Sequence, residues 1–407
     1  MNSLAGGGDG SPSVCVVGAG TRFLSGITYV TYGMANELSA HTRTSALLVR
    51  NLLPAVLYPG RSRVGSELTG LDLSDQVAAY DGVDWSWGSS MVGAIAFLRR
   101  ERPEIVHFHW WSGTTLHSYL LLAMVARLLG AKISIELHEV LDTGEDDMAL
   151  VAAYVNRVAP KLFSKADALV VHSDFDRRLA AERFGLAPDR FTVVAHPEMT
   201  HFQTAAGDGA GTRPERSTHR STINYLYFGV IRPFKGVDDL AAALELLAPV
   251  AGTDVHLTIA GECWEGTQPM IDAIRTGPGR DRITIIDRYI TDTEVDDLFR
   301  VADVVVLPYH RSSQSGPLHV AMGYGLPIVV TDVGGLTEAV SDYPGAVLCR
   351  PEDPADLACA MQRAIPLVGT SYETPRTWDR TTEQYLILFR GLLDEQSEAP
   401  VRYLVSV

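Results

Sequence analysis

The chain has 407 residues, 46% of them hydrophobic and 20% charged, with a formal net charge of −15. That length is a prior for two or three domains with full apolar cores, and the acidic balance argues against a diffuse nucleic-acid-binding surface. The four cysteines, Cys15, Cys263, Cys349 and Cys359, form no C-x-x-C pair. This speaks against a cysteine-zinc site or a disulfide framework and fits a reducing cytoplasm.

The opening segment MNSLAGGGDGSPS has neither the basic part nor the apolar core of a signal peptide. Residues 14–20 (VCVVGAG) form a short apolar run closed by glycines, which predicts a buried parallel strand. After the loop TRFLSG, residues 27–38 read as a helix and residues 44–53 as a second strand. Residues 93–103 read as a helix ended by Pro103, and residues 104–110 (EIVHFHW) as a strand. The most apolar stretch, residues 119–137, is interrupted by Arg127, Gly130 and Lys132. It falls short of the roughly 18–20 apolar residues that a membrane-spanning helix needs, and reads as a buried helix followed by a strand. A helix over residues 148–165, the strand ALVVHS, the helix DRRLAAERFG and the strand FTVVAHP complete the first half.

Residues 204–222 are rich in Gly, Thr, Arg and Ser and nearly free of apolar side chains, the composition of a linker. Alternation then restarts with INYLYFGVI, VDDLAAALELLAPV, DVHLTIAG, a helix, RITIID and TDTEVDDLFRVA. It continues through DVVVLPY, PLHVAMGYG, PIVVTD and AVLCR, and residues 377–393 form a last amphipathic helix. The fold class is therefore α/β, two doubly wound Rossmann-like lobes facing across a cleft. The expected division is 1–203, linker 204–222, 223–372, and a closing helical segment 373–407. Ligands of such sheets sit outside the carboxyl ends of the strands, so the cleft is the expected site.

Several segments carry candidate chemistry. Gly229-Val-Ile-Arg232-Pro-Phe-Lys235-Gly236 follows a strand and precedes a helix. A guanidinium fork, an ammonium and free helix N–H groups suit a pyrophosphate, although short basic surface turns are common. The Ser312–Leu318 segment and Thr331-Asp-Val-Gly334-Gly335-Leu-Thr-Glu338 also join strands to helices, and taken alone both read better as ordinary caps than as ligand sites. His107 and His109 alternate on one strand, and His138 and Glu139 end another. No third ligand sits at tight spacing beside the first pair, so no metal is expected. Trp85, Trp87, Trp110 and Trp111 suit either sugar stacking or core packing. Gly18-Ala-Gly20 is not followed by the rest of G-x-G-x-x-G, and no P-loop or G-x-S-x-G occurs. Dehydrogenase, P-loop ATPase and serine hydrolase readings are thereby disfavoured.

In their joint order these segments resemble the family-four retaining glycosyltransferases of the GT-B fold. The resemblance covers about residues 14–393, and YFGVIRPFKGVDDLAAAL is its most specific part. It implies that Arg232 and Lys235 neutralise the diphosphate of a nucleotide-diphosphate sugar, and that His138 contacts the transferring sugar. It further implies that Gly26 lets the first-lobe loop close, that Tyr289 and Ile290 meet the base, and that backbone near Ser315, Gly316 and Leu318 meets phosphate. Gly229, Gly261, Glu262 and Glu338 complete the expected donor-binding set, and the last helix is expected to cross back to the first lobe. Both acids of the family's E-x7-E motif are missing: Ser312 and Val320 stand in their places, the latter just before Ala321-Met-Gly-Tyr-Gly325. The expected reaction is front-face transfer with retention, needing no cofactor or metal, to an unidentified acceptor that is a glycan, a lipid-linked group or a small natural product. The partners expected are the nucleotide sugar and that acceptor, with no nucleic acid, no transmembrane segment, and peripheral membrane association left open. The alternatives are a GT-B nucleotide-sugar epimerase and a non-catalytic nucleotide-sugar-binding protein.

Overall fold

A computed structural model describes residues 12–21, 26–51, 71–140, 149–204, 221–247, 254–264 and 266–394. The N-terminal tail, the loop before Gly26 and nearly all of the expected linker lie outside the described residues. The first half contains β1 (Val14–Ala19), α1 (Gly26–Ser39), β2 (Thr44–Asn51), β3 (Ala78–Asp84), α2 (Gly88–Glu101), β4 (Ile105–Trp110) and α3 (Leu116–Leu128). It continues with β5 (Lys132–Leu137), α4 (Ala149–Phe163), β6 (Ala168–Val171), α5 (Asp174–Phe184), β7 (Phe191–Val193) and α6 (His201–Thr204).

The second half contains β8 (Thr222–Phe228), α7 (Val237–Leu246), β9 (Asp254–Ala260), α8 (Gln268–Thr276), β10 (Ile283–Ile286), α9 (Asp292–Val301) and β11 (Val304–Leu307). After it come α10 (Gly316–Gly323), β12 (Ile328–Thr331), α11 (Gly334–Val340), β13 (Ala346–Cys349), α12 (Pro354–Ala364) and α13 (Trp378–Leu393).

Two all-parallel sheets result, of seven and six strands, ordered β3-β2-β1-β4-β5-β6-β7 and β10-β9-β8-β11-β12-β13. This is the doubly wound α/β architecture expected from the alternation. β1, β4 and β11 are buried along their whole lengths, as strands covered by helices on both faces must be. Strand order reverses direction between β1 and β4 and again between β8 and β11, so each lobe has a crevice at its carboxyl edge.

β3 and α12 depart from the sequence expectation. β3 (AAYDGVD) gives no strand signal, because an edge strand half open to solvent carries charges rather than an apolar run. α12 lies beyond the expected alternation, although Asp353 caps it and Leu357, Ala358, Ala360, Met361 and Ala364 are buried at helical spacing. The closing helix α13 packs on the first-lobe core through Tyr385, Leu388 and Phe389. Its Trp378 ring lies where a side chain at Gly33 of α1 would stand, with ring atoms 2.4 Å from the Cβ that an alanine there would carry. Among the described residues, no helix is long and apolar enough to cross a membrane.

Candidate active site

Arg232 precedes and Lys235 ends a tight 3₁₀ turn, Pro233–Lys235, between β8 and α7. Gly236 ends that turn at φ 63° and starts α7; a Cβ there would lie 2.0 Å from the Pro308 carbonyl. Only glycine fits so close a crossing in the left-handed region. The loop after β11 braces the turn: His310 donates its backbone N–H to the Phe234 carbonyl at 2.8 Å, and its Nε2 pairs with Asp239 at 2.8 Å. Lys235 Nζ is 3.6 Å from the centre of the Tyr309 ring. The Arg232 guanidinium lies 5.4 Å from the ring centres of both Phe234 and Trp264. Aromatic faces thus support both cations through the ring quadrupole.

Burial lowers the Lys235 ammonium to about 8; Glu139 pulls it upward and Arg232 lowers it further. Glu139 directly follows His138 beyond the end of β5, so the charge of a first-lobe residue acts on Lys235. Arg311, which sequence reasoning did not single out, adds a third cation 5.0 Å from the Phe234 ring.

The remaining second-lobe candidates gather along the same edge. Gly229 follows β8, and Gly261 follows β9 at φ 154°, where a Cβ would lie 1.9 Å from the Gly229 carbonyl. Glu262 accepts a hydrogen bond from Trp264 Nε1 at 2.8 Å, which joins it to the aromatic wall beneath Arg232. Ser315 caps α10 by accepting from the Leu318 N–H and stands 3.3 Å from the Tyr309 hydroxyl. Gly316 opens α10, and Leu318 is buried. Tyr289 and buried Ile290 lie between β10 and α9. Near them Tyr29 of α1 donates to Asp292 at 2.6 Å, linking the lobes. Gly26 opens α1 with open space around it. At the two E-x7-E positions, Ser312 Oγ donates to the Gln314 carbonyl at 2.8 Å, and Val320 is buried in the second-lobe core.

Glu338 has another partner altogether. Its carboxylate accepts the backbone N–H groups of Asp174 at 2.6 Å and Phe175 at 2.8 Å. A second-lobe acid therefore caps the N-terminus of first-lobe helix α5, where the helix dipole favours negative charge. Gln314 adds a hydrogen bond to Asp176 at 3.0 Å.

His138 belongs to a buried chain of which the sequence shows only a part. His107, His109, Glu136, His138, His172 and His196 sit on or just beyond the adjacent strands β4 to β7. The His196 ring stacks on His319 of α10 with centroids 4.2 Å apart. Both His138 ring nitrogens are engaged inward, Nδ1 at 3.1 Å from His172 and Nε2 at 3.2 Å from His109. Burial lowers His109 and His196 to about 3 and holds His138 and His319 well below the usual imidazole range. Burial alone would raise Glu136, but the surrounding imidazoles outweigh it and hold the carboxyl well below its ordinary range. Glu136, His172 and His196 escaped sequence reasoning, yet a signal exists: HFHW, ELHE, VVHS and VAHP each put a histidine near a strand end, and parallel neighbours set those ends side by side.

The tryptophans divide. Trp110 and Trp111 are core residues, whereas Trp85 and Trp87 are exposed on the first lobe, with Trp87 Nε1 donating to Ser118 at 3.1 Å.

Residues 222–366 match the family described as "Glycosyl transferases group 1", and residues 25–196 match "Glycosyl transferase 4-like domain". The chain is 30% identical over 327 residues to the glycogen synthase of Mycobacterium tuberculosis, covering 74% of this chain and 73% of that protein. It is 26% identical over 323 residues to the D-inositol 3-phosphate glycosyltransferase of Geodermatophilus obscurus, covering 74% and 69%. Its fold is similar to the catalytic domain of starch synthase IV from Arabidopsis thaliana bound to ADP and acarbose. That similarity has a TM-score of 0.66 at 13% identity, over 95% of this chain and all of the other.

Proposed function

The chain belongs to the group 1, family-four glycosyltransferases of the GT-B fold, and we propose that it moves a sugar with retention from a nucleoside-diphosphate donor to an acceptor hydroxyl. The observation that carries the reading is the glycine-braced turn holding Arg232 and Lys235 at the carboxyl edge of the second sheet, with the charge of first-lobe Glu139 acting on Lys235. As the anomeric carbon–oxygen bond breaks, negative charge grows on the leaving diphosphate. Arg232 and Lys235 stabilise that charge, and preorganised stabilisation of this kind usually supplies the greatest share of an enzyme's rate enhancement. The N–H groups opening α7 and α10 add to it. The acceptor oxygen attacks from the face the diphosphate leaves, and its proton passes to the departing phosphate oxygen.

Gly229 and Gly261 let backbone come close to the donor, with Glu262, Tyr289 and Ile290 toward its nucleoside end. Ser315, Gly316 and Leu318 border the phosphates. His138 contributes through its backbone, since its ring nitrogens are taken up within the first lobe. Glu338 acts on lobe closure, which keeps water from the donor.

Thermal shift against UDP, ADP and GDP and their sugars, followed by NMR of the anomeric configuration of product, tests the reading. A ligand at about 100 times its Kd stabilises the native state by about 2.7 kcal/mol, so one nucleotide series should raise the Tm. An inverted product overturns the stereochemical part. The absence of acids at positions 312 and 320 favours one second reading, a binding protein without turnover. Tight donor binding with no transfer and no donor hydrolysis would select it.

A further inference from the structure

The polarity of the buried histidine chain can be worked inward from groups that can only accept. The Val194 carbonyl is 3.0 Å from His172 Nδ1, so that nitrogen carries hydrogen. Burial disfavours the charged ring, but Glu136, 3.1 Å from Nε2, outweighs it and raises the imidazole above its usual range, so Nε2 faces either a proton or a cation in its place. Met34 Sδ, 3.3 Å from His109 Nε2, and the Glu136 carboxylate, 3.8 Å from the same nitrogen, likewise only accept. His109 therefore carries its hydrogen on Nε2 and accepts at Nδ1. The hydrogen bond it accepts comes from His138 Nε2 at 3.2 Å, which leaves His138 Nδ1 bare. Glu136 Oε2 is occupied by His107 Nε2 at 2.8 Å, and His107 Nδ1 is in turn 2.9 Å from Ser134 Oγ.

Three ligating side chains converge. His172 Nε2 lies 3.1 Å from Glu136 Oε1 and 3.1 Å from His138 Nδ1. All three residues are buried, and their ligand atoms lie within 4.8 Å of one another. A carboxylate oxygen facing imidazole nitrogens in a dry core demands a positive charge between them, carried by a proton or by a metal ion.

We propose that Glu136 Oε1, His138 Nδ1 and His172 Nε2 bind a divalent transition-metal ion, zinc first, in a buried two-histidine, one-carboxylate site. Zinc–nitrogen and zinc–oxygen bonds of about 2.0–2.2 Å set tetrahedral ligands about 3.3 Å apart, close to the two 3.1 Å separations from His172 Nε2, while Glu136 Oε1 also lies 3.4 Å from His138 Nε2. Each ligand is oriented from behind with the polarity that coordination needs: His172 by the Val194 carbonyl, His138 by His109, Glu136 by His107. Ligand spacing within one segment does not reveal this set, because its third member, His172, comes from the neighbouring strand end. The ion ties the carboxyl ends of β5 and β6 behind the interlobe wall. It takes no step in sugar transfer, so its presence or absence leaves the proposed function untouched.

The rival occupant is a single proton shared among the same three atoms. Metal analysis separates the two. Protein produced in zinc-supplemented medium and freed of loosely held metal should carry about one zinc per chain, and X-ray absorption should show only nitrogen and oxygen ligands at about 2.0–2.1 Å. His172→Gln and Glu136→Gln should reduce the content to below about one fifth, while Asp239→Asn, in the Asp238, Asp239 and His310 group, should leave it unchanged. If those core variants fail to fold, wild type refolded with cobalt decides: a visible d–d band of tetrahedral cobalt upholds the site, and its absence overturns it. Fewer than about 0.1 zinc per chain after refolding with zinc assigns the position to a proton and overturns the proposal.

Discussion

Replacing Lys235 by methionine keeps the bulk of the side chain against Tyr309 and removes only the charge. A unit charge about 4 Å from another, at an effective dielectric constant of about 20, interacts by about 4 kcal/mol. A diphosphate retaining Arg232 would recover part of that, so nucleoside diphosphate affinity should fall about 30- to 100-fold. The transition state carries more charge at the leaving oxygens, and kcat/KM should fall about 1000-fold. The depressed ammonium gives this prediction a second arm. Unliganded Lys235 titrates near 8, and a bound diphosphate favours its charged form. Binding is then strongest below that pH and weakens about tenfold per unit above it, with proton uptake on binding. Isothermal titration in buffers of different ionisation enthalpy measures both. Lys235→Met should lose the pH dependence along with the affinity, while its Tm holds, because the substitution removes a cation that burial already disfavours. Unchanged affinity, or a pH slope that survives the substitution, would take Lys235 out of diphosphate binding.

Gly261→Ala adds a methyl where the Gly229 carbonyl stands at 1.9 Å and the backbone is at φ 154°. It should cost about 1–3 kcal/mol in chemical denaturation and weaken donor binding by displacing the β8 and β9 strand ends. Glu338→Ala removes the cap on the Asp174 and Phe175 N–H groups. Because the carboxylate is partly exposed, the stability loss should be only about 1 kcal/mol. Small-angle scattering should show a larger radius of gyration in the absence of ligand, and an unchanged radius would remove Glu338 from lobe closure.

Much of the fold is legible in the sequence. The apolar runs of β1, β4 and β11 announce a covered parallel sheet, and Arg232-Pro-Phe-Lys235-Gly236 announces a rigid cationic turn. What stays hidden depends on neighbours distant in sequence. Glu338 reads as an ordinary first-turn acid until α5 of the other lobe is seen above it. Glu136 reads as a polar interruption in KISIEL until imidazoles on β4 and beyond the ends of β5 and β6 are set around it. Edge strand β3 escapes because alternation with charges at an edge resembles a loop.

Lysine labelling reads the contact between the cationic turn and the diphosphate at a single side chain. The chain has four lysines, Lys132, Lys161, Lys165 and Lys235, so the pattern can be followed peptide by peptide. At pH 8 a small amine-acylating reagent should modify Lys235 fastest, since its ammonium titrates near 8, and nucleoside diphosphate should protect it while leaving the other three unaffected. Labelling of Lys235 that proceeds equally with and without a nucleotide known to bind would contradict the account.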